Sequence, residues 1–146
     1  MPDFRQPPEA GVDPVDETAG REGRILALER AALDRWGQGD PDGYLSISGA
    51  DLSYFDPYAD HRLDGLATLA AWYEGIRGTI KINRDEIIEP RIQVIGDAAI
   101  LTFQYASYSG ETAVRWNCTE VYQRSGEDWK IVHSHWSFTQ PELAAK

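Results

Sequence analysis

Hydrophobic positions recur along this chain with two different periods, and the change of period divides it. From Glu22 the apolar residues Ile25, Leu28, Ala32, Leu33 and Trp36 fall at helical spacing, and Gly37 and Gly39 close the run, which predicts a first helix. Asp40 followed by Pro41 reads as an N-cap with proline at the first helical position, opening a short second helix that places Tyr44 and Ile47 on one face and ends near Gly49. DLSYFDP, residues 51–57, alternates and stops at a proline, which predicts a strand. Leu66, Leu69, Tyr73 and Ile76 then make the stripe of a third helix.

After that the period becomes two. Ile88, Ile92 and Val94 alternate in one strand, in which Pro90 requires a bulge or an edge position. Gly96-Asp97 turns the chain into a strand over 98–108, Ser109-Gly110 into another over 112–124, and residues 125–128 into a last one, DWKIVHSHWSF, residues 128–138. Helices first and an antiparallel meander afterwards predict an α+β fold with the helices on one face of the sheet. The prolines and acidic residues at the N-terminus carry neither period, so residues 1–20 are expected to be a flexible arm, 21–141 the folded domain and 142–146 a tail.

Composition narrows the function classes. Fourteen Lys and Arg against twenty-four Asp and Glu give a net charge of -10, which repels a phosphate backbone, so no nucleic-acid partner is expected. No apolar run approaches membrane-spanning length and the first residues hold no signal-like apolar region, so no membrane partner is expected and the chain reads as cytoplasmic. The single cysteine, Cys118, cannot form an intrachain disulfide and has no zinc-type spacing around it.

The segments DLSYFDPYADHRLDGLATLAAWYEG, PRIQVIGDAAILTFQY and DWKIVHSHWS, in that order, resemble the association (hub) domain of calcium/calmodulin-dependent protein kinase II. More broadly they resemble the nuclear-transport-factor-2-like superfamily, which includes ketosteroid isomerase and SnoaL-like cyclases. The resemblance implies a cone-shaped half-barrel: three N-terminal helices packed in a strongly bent, mostly antiparallel sheet, with a pocket in the cone and a dimer formed through the sheet. Fold alone leaves the chemistry open, because this superfamily carries several. Positions where the hub domain has carboxylate-holding arginines read Ala106, Glu120 and Trp136 here, which implies a pocket with an aromatic wall and one acid.

Alternation puts His133 and His135 on one face of the last strand and Val132, Ser134 and Trp136 on the other. The resemblance turns Trp136 toward the pocket, leaving the histidines for sheet or interface packing. The other histidine, His61, sits in a loop, so neither a metal nor a cofactor is expected. Glu120 shares a face with Val114, Trp116, Cys118 and Tyr122, a surface that would raise a carboxyl pKa. It reads either as a pocket acid/base or as a buried glutamate satisfied by Arg115, Arg124 or a tyrosine hydroxyl. Asp56 reads either as a second acid at the cone mouth or as a turn residue before Pro57. Cys118 reads as a small buried apolar residue. Tyr44, Tyr54, Trp72, Gln104, Trp116 and Trp136 are the expected ligand contacts, with ordinary core as the alternative. Two functions follow: a homodimer or larger assembly holding a small apolar or aromatic molecule, or a cofactor-independent isomerase, dehydratase or cyclase using Glu120 or Asp56.

Overall fold

A computed structural model describes residues 14–140, with side chains from residue 20 onward. Residues 1–13 of the expected arm, and the expected tail, lie outside the described residues. Helix α1 runs Pro14–Trp36, so it starts before the apolar stripe does at Ile25. Proline is tolerated in a first helical turn because its missing N–H has no partner there in any case. Helix α2, Asp42–Leu45, is shorter than its pattern predicts. Pro41, not Asp40, occupies its N-cap, and Asp40 Oδ1 accepts the Asp42 N–H at 3.0 Å from one residue further out. The chain then leaves the helix early, because Ser48 already belongs to strand β1, Ser48–Phe55.

A two-residue strand that the pattern did not predict, β2 (Leu63–Asp64), pairs antiparallel with β1 and leads into α3 (Leu66–Glu74). The meander follows as β3 (Arg84–Ile95), β4 (Ala98–Ser109), β5 (Thr112–Ser125) and β6 (Asp128–Phe138). The six strands form one curved, unclosed sheet in the order β2-β1-β6-β5-β4-β3, antiparallel throughout except for the β1–β6 pair, which is parallel. The first two hairpin turns use Gly96 and Gly110 at φ 60° and 62°, the left-handed backbone that glycine adopts without steric cost.

The three helices cover the concave face. Ile25 and Leu33 of α1, Leu69 of α3, Leu101 of β4 and Ile131 of β6 are fully buried between the layers. On the convex face, the Ser53 hydroxyl lies 2.7 Å from His133 Nδ1, and the Phe55 ring packs 4.9 Å from His135. His133 and His135 are therefore neighbours on the outside of the sheet.

Two one-residue slips change which residues face inward. In β3 the register moves between Ile88 and Arg91, where Glu89 takes φ 50° ahead of Pro90. Ile87, Ile92 and Val94 consequently pack against the core, and Ile87 rather than Ile88 completes the buried row. In β6, Tyr122 opposes Ile131 and Val121 opposes His133, which leaves Val132 as the extra residue. Trp129 and Ile131 are buried on one side of that bulge and Ser134 on the other. Val132 therefore does not form a regular inward row with Ser134 and Trp136.

Glu89 is exposed and carries the one positive φ among the described non-glycine residues. A left-handed conformation costs an ordinary side chain about 1–2 kcal/mol, and glycine loses about 0.5–1 kcal/mol through unfolded-chain entropy. Glu89→Gly should therefore leave denaturant stability unchanged or raise it by up to ~1 kcal/mol. A loss above ~1 kcal/mol would show that the bulge is not strained.

Candidate functional site

The concave side of the sheet holds a cavity of about 480 Å³ between the helices and the strands. Its wall is a chain of aromatic rings in mutual contact. Tyr54 of β1 meets Tyr73 of α3, Tyr73 meets Trp36 at the end of α1, and Trp36 meets Tyr44 of α2. Tyr44 then meets Trp136 of β6, Trp136 meets Trp116 of β5, and Trp116 meets Tyr58 in the loop after β1. Centroid separations along this belt run from 5.0 to 6.4 Å with the rings steeply inclined, the edge-to-face arrangement that aromatic quadrupoles favour.

Asp56 closes the belt. Its Oδ2 accepts the Tyr54 hydroxyl at 2.8 Å and Trp72 Nε1–H at 3.3 Å. Its Oδ1 accepts the backbone N–H groups of Tyr58 and Ala59 at 2.8 and 2.9 Å. The turn reading of Asp56 and its position on the cavity are thus both realised, since the same carboxylate shapes the loop and faces the space. Burial, with the neighbouring acid, pushes the Tyr54 phenol well above its ordinary pKa, so it stays a donor.

Of the expected contacts, Tyr44, Tyr54, Trp72, Trp116 and Trp136 line this cavity together with Asp56. Gln104 does not. It alternates with Phe103 and Tyr105, which are buried, so it points outward, where its amide donates to Asn117 Oδ1 at 3.0 Å. The alternation that excludes it was present in the sequence.

Glu120 is buried on the same face as Trp116, Cys118 and Tyr122, but it lies outside the cavity lining. Neither arginine reaches it: Arg124 lies over the Trp129 ring and 3.9 Å from Asp97, and Glu120 has no ion pair among the described residues. Its neighbour is instead Glu29 of α1, also fully buried, which the reading of the sequence passed over. Glu29 lies four residues from both Ile25 and Leu33, on the apolar stripe of the helix, and that position was the available signal. Both Glu29 oxygens are taken, one by the Tyr122 hydroxyl at 2.6 Å and one by the Tyr44 hydroxyl at 2.5 Å. Glu120 Oε2 accepts the Ser134 hydroxyl at 2.7 Å, and Ser134 Oγ accepts Trp136 Nε1–H at 3.1 Å. Glu120 Oε1 is buried without a partner.

Two buried carboxylates side by side without a cation would be prohibitively costly. A proton on Glu120 resolves this: desolvation first, then the charge of Glu29, hold its pKa well above the usual carboxyl range. Cys118 completes a buried three-residue group whose potential ligand atoms lie within 4.8 Å of one another, and burial pushes its thiol pKa up as well. A metal ion there would have to displace two phenol donors from Glu29, so the chemistry of the set suits a shared proton better. The histidines form no such group among the described residues.

A raised carboxyl pKa means the folded state keeps a proton that the unfolded chain releases. Stability from this group is full at acid pH and falls as pH rises above the ordinary Glu value, with a limiting slope of about 1.4 kcal/mol per pH unit. Glu120→Gln removes the titration, so the variant should gain on the wild type steadily from pH 5 to pH 8 in urea unfolding. Parallel stability profiles would mean that Glu120 carries no such proton.

Comparison with known proteins places this architecture. The sequence matches the calcium/calmodulin dependent protein kinase II association domain over residues 21–140. A candidate ketosteroid isomerase from Parabacteroides distasonis is similar at 36% identity and TM-score 0.74, over 80% of this chain and 86% of that one. An NTF2-like protein of unknown function from Pseudomonas putida superposes at TM-score 0.73 with 22% identity, over 82% and 87% of the two chains. The association domain of C. elegans CaMKII does so at TM-score 0.71 with 19% identity, over 84% and 98%. No curated protein matches the chain in sequence. Order of elements, concave cavity and sequence match agree, and the chain belongs to the calcium/calmodulin-dependent protein kinase II association-domain family, with the nuclear-transport-factor-2-like fold.

Proposed function

We propose that this protein is a self-associating association-type domain whose cone binds a small apolar or aromatic molecule. The observation that carries the reading is the continuous aromatic belt around a cavity of about 480 Å³, a volume within the usual range for small-molecule sites. Self-association draws support from the family, in which structures from S. rosetta and Chlamydamonas reinhardtii are hub domains. It also draws support from the convex face, where Phe55 is 37% exposed beside His133 and His135, a partly apolar surface where β1 pairs with β6.

An isomerase-type enzyme is the second reading, favoured by the 36% identical candidate ketosteroid isomerase and by Asp56 on the cavity. Asp56 is poorly suited to take a substrate proton. Four donors already converge on its two oxygens, which fills the acceptor capacity of a carboxylate. Glu120 lies outside the lining and connects to lining residues indirectly, through Ser134 to Trp136 and through its neighbour Glu29 to Tyr44. Binding therefore ranks ahead of catalysis.

Four of the five tryptophans line the cavity, so intrinsic fluorescence reports on it. A neutral two-ring aromatic such as 2-naphthol should quench the emission saturably, and Trp136→Ala should weaken binding at least tenfold. Linear, non-saturable quenching by every such compound would remove the binding role. Light scattering at micromolar protein should give a dimer or a larger assembly, whereas a monomer mass would remove the assembly role.

A further inference from the structure

Many of the polar side chains around the cavity are bonded to other protein groups. The Tyr44 hydroxyl donates to Glu29, Tyr54 to Asp56 and Tyr105 to Asp85, each to a carboxylate within 2.8 Å. The indole N–H groups of Trp72, Trp116 and Trp136 go to Asp56, Ser107 and Ser134. The hydroxyls of Thr79 and Ser109 go to the backbone carbonyls of Ile76 and Lys81. The Trp36 indole, the Tyr58 and Tyr73 hydroxyls and Lys81 form no such bond among the described residues, so a ligand inside would meet mainly ring surface with a minority of uncommitted polar groups.

The same wall is negative. Three phenols that donate to carboxylates have electron density pushed into their rings, which deepens the negative potential of the faces. Asp56 adds a carboxylate with no ion pair among the described residues. Lys81, the one basic residue on the lining, is exposed and is not bonded to Asp56. The whole chain carries a net charge of -10, which adds a field of the same sign.

A negative, aromatic site whose carboxylate already has its acceptor sites filled suits one chemical class. An anion is repelled. A primary ammonium would bring three N–H donors that need acceptors, and the Asp56 acceptor sites are filled. An N-methylated ammonium has a diffuse positive charge, an apolar surface and no donor to satisfy, and aromatic cages hold it through the ring faces. We propose that the cone is a site for a quaternary or fully N-methylated ammonium compound, with the aromatic belt as the cage and Asp56 as its fixed counter-charge. This rests on the binding role of the cavity and specifies its ligand.

The test compares choline with its neutral carbon isostere, 3,3-dimethylbutan-1-ol, by tryptophan fluorescence and calorimetry at matched ionic strength. Choline should bind at least tenfold more tightly, and its affinity should fall with added salt while that of the isostere holds. Asp56→Asn should lose at least tenfold in choline affinity with the isostere within about twofold. If that variant does not fold, the comparison on the wild-type protein stands by itself. Equal or tighter binding of the isostere overturns the ammonium proposal and leaves the cavity as an apolar site. Binding of 2-naphthol with neither of the pair bound does the same. No binding by any of the three overturns both the ammonium proposal and the binding role.

Discussion

Glu29 is the residue on which the geometry of the cone depends. It sits on the buried stripe of α1 and accepts hydroxyls from Tyr122 of β5 and Tyr44 of α2, so one carboxylate ties the long helix to the sheet and to the short helix beside it. Hydrogen bonds to a charged acceptor are about twice as strong as neutral ones, and in a buried site they are directional. They hold α1 across the concave face, and that placement brings Trp36 and Tyr44 into the aromatic belt. The cost of burying the acid falls on Glu120, which must hold a proton next to it.

This arrangement explains why the acid singled out from the sequence is not the acid on the cavity. Glu120 has the desolvated, aromatic surroundings that alternation implied, and its raised pKa follows from them. It receives the Ser134 hydroxyl, and Ser134 in turn accepts the Trp136 indole N–H beside the cavity. Asp56, which the sequence offered equally as a turn residue, is the acid that faces the space. Both carboxyl groups shape the wall, one through a chain of hydrogen bonds and one directly.

Much of the fold was legible because β4 and β5 largely alternate with period two and the apolar residues of α1 recur at helical spacing. Pro90 marked the slip at Glu89-Pro90 but not which isoleucine it turns inward, and the slip at Val132 carried no such mark. A bulge shifts phase by one residue while leaving apolar residues on both sides, so Ile87 and Ile88 look alike until the partner strand is known. Strand β2 was missed because two residues carry no period. Glu29 was missed for another reason: a charged residue on an apolar stripe reads as a break in it, and only the distant Tyr122 reveals its partner. Gln104, by contrast, was misassigned against a signal the sequence contained, since both of its neighbours in β4 are large inward aromatics.

Family membership leaves the ligand open, and the cavity itself offers a wall of rings, a carboxylate with four donors on it, and three phenols and three indoles bonded within the protein. The most direct measurement is an ¹⁵N NMR titration of the five indole N–H resonances with tetramethylammonium. Trp36, Trp72, Trp116 and Trp136 line the cavity, while Trp129 is buried at the start of β6 beneath Arg124. The account predicts saturable shifts of the four lining resonances with Trp129 unmoved. Stationary resonances, or shifts confined to Trp129, would contradict it.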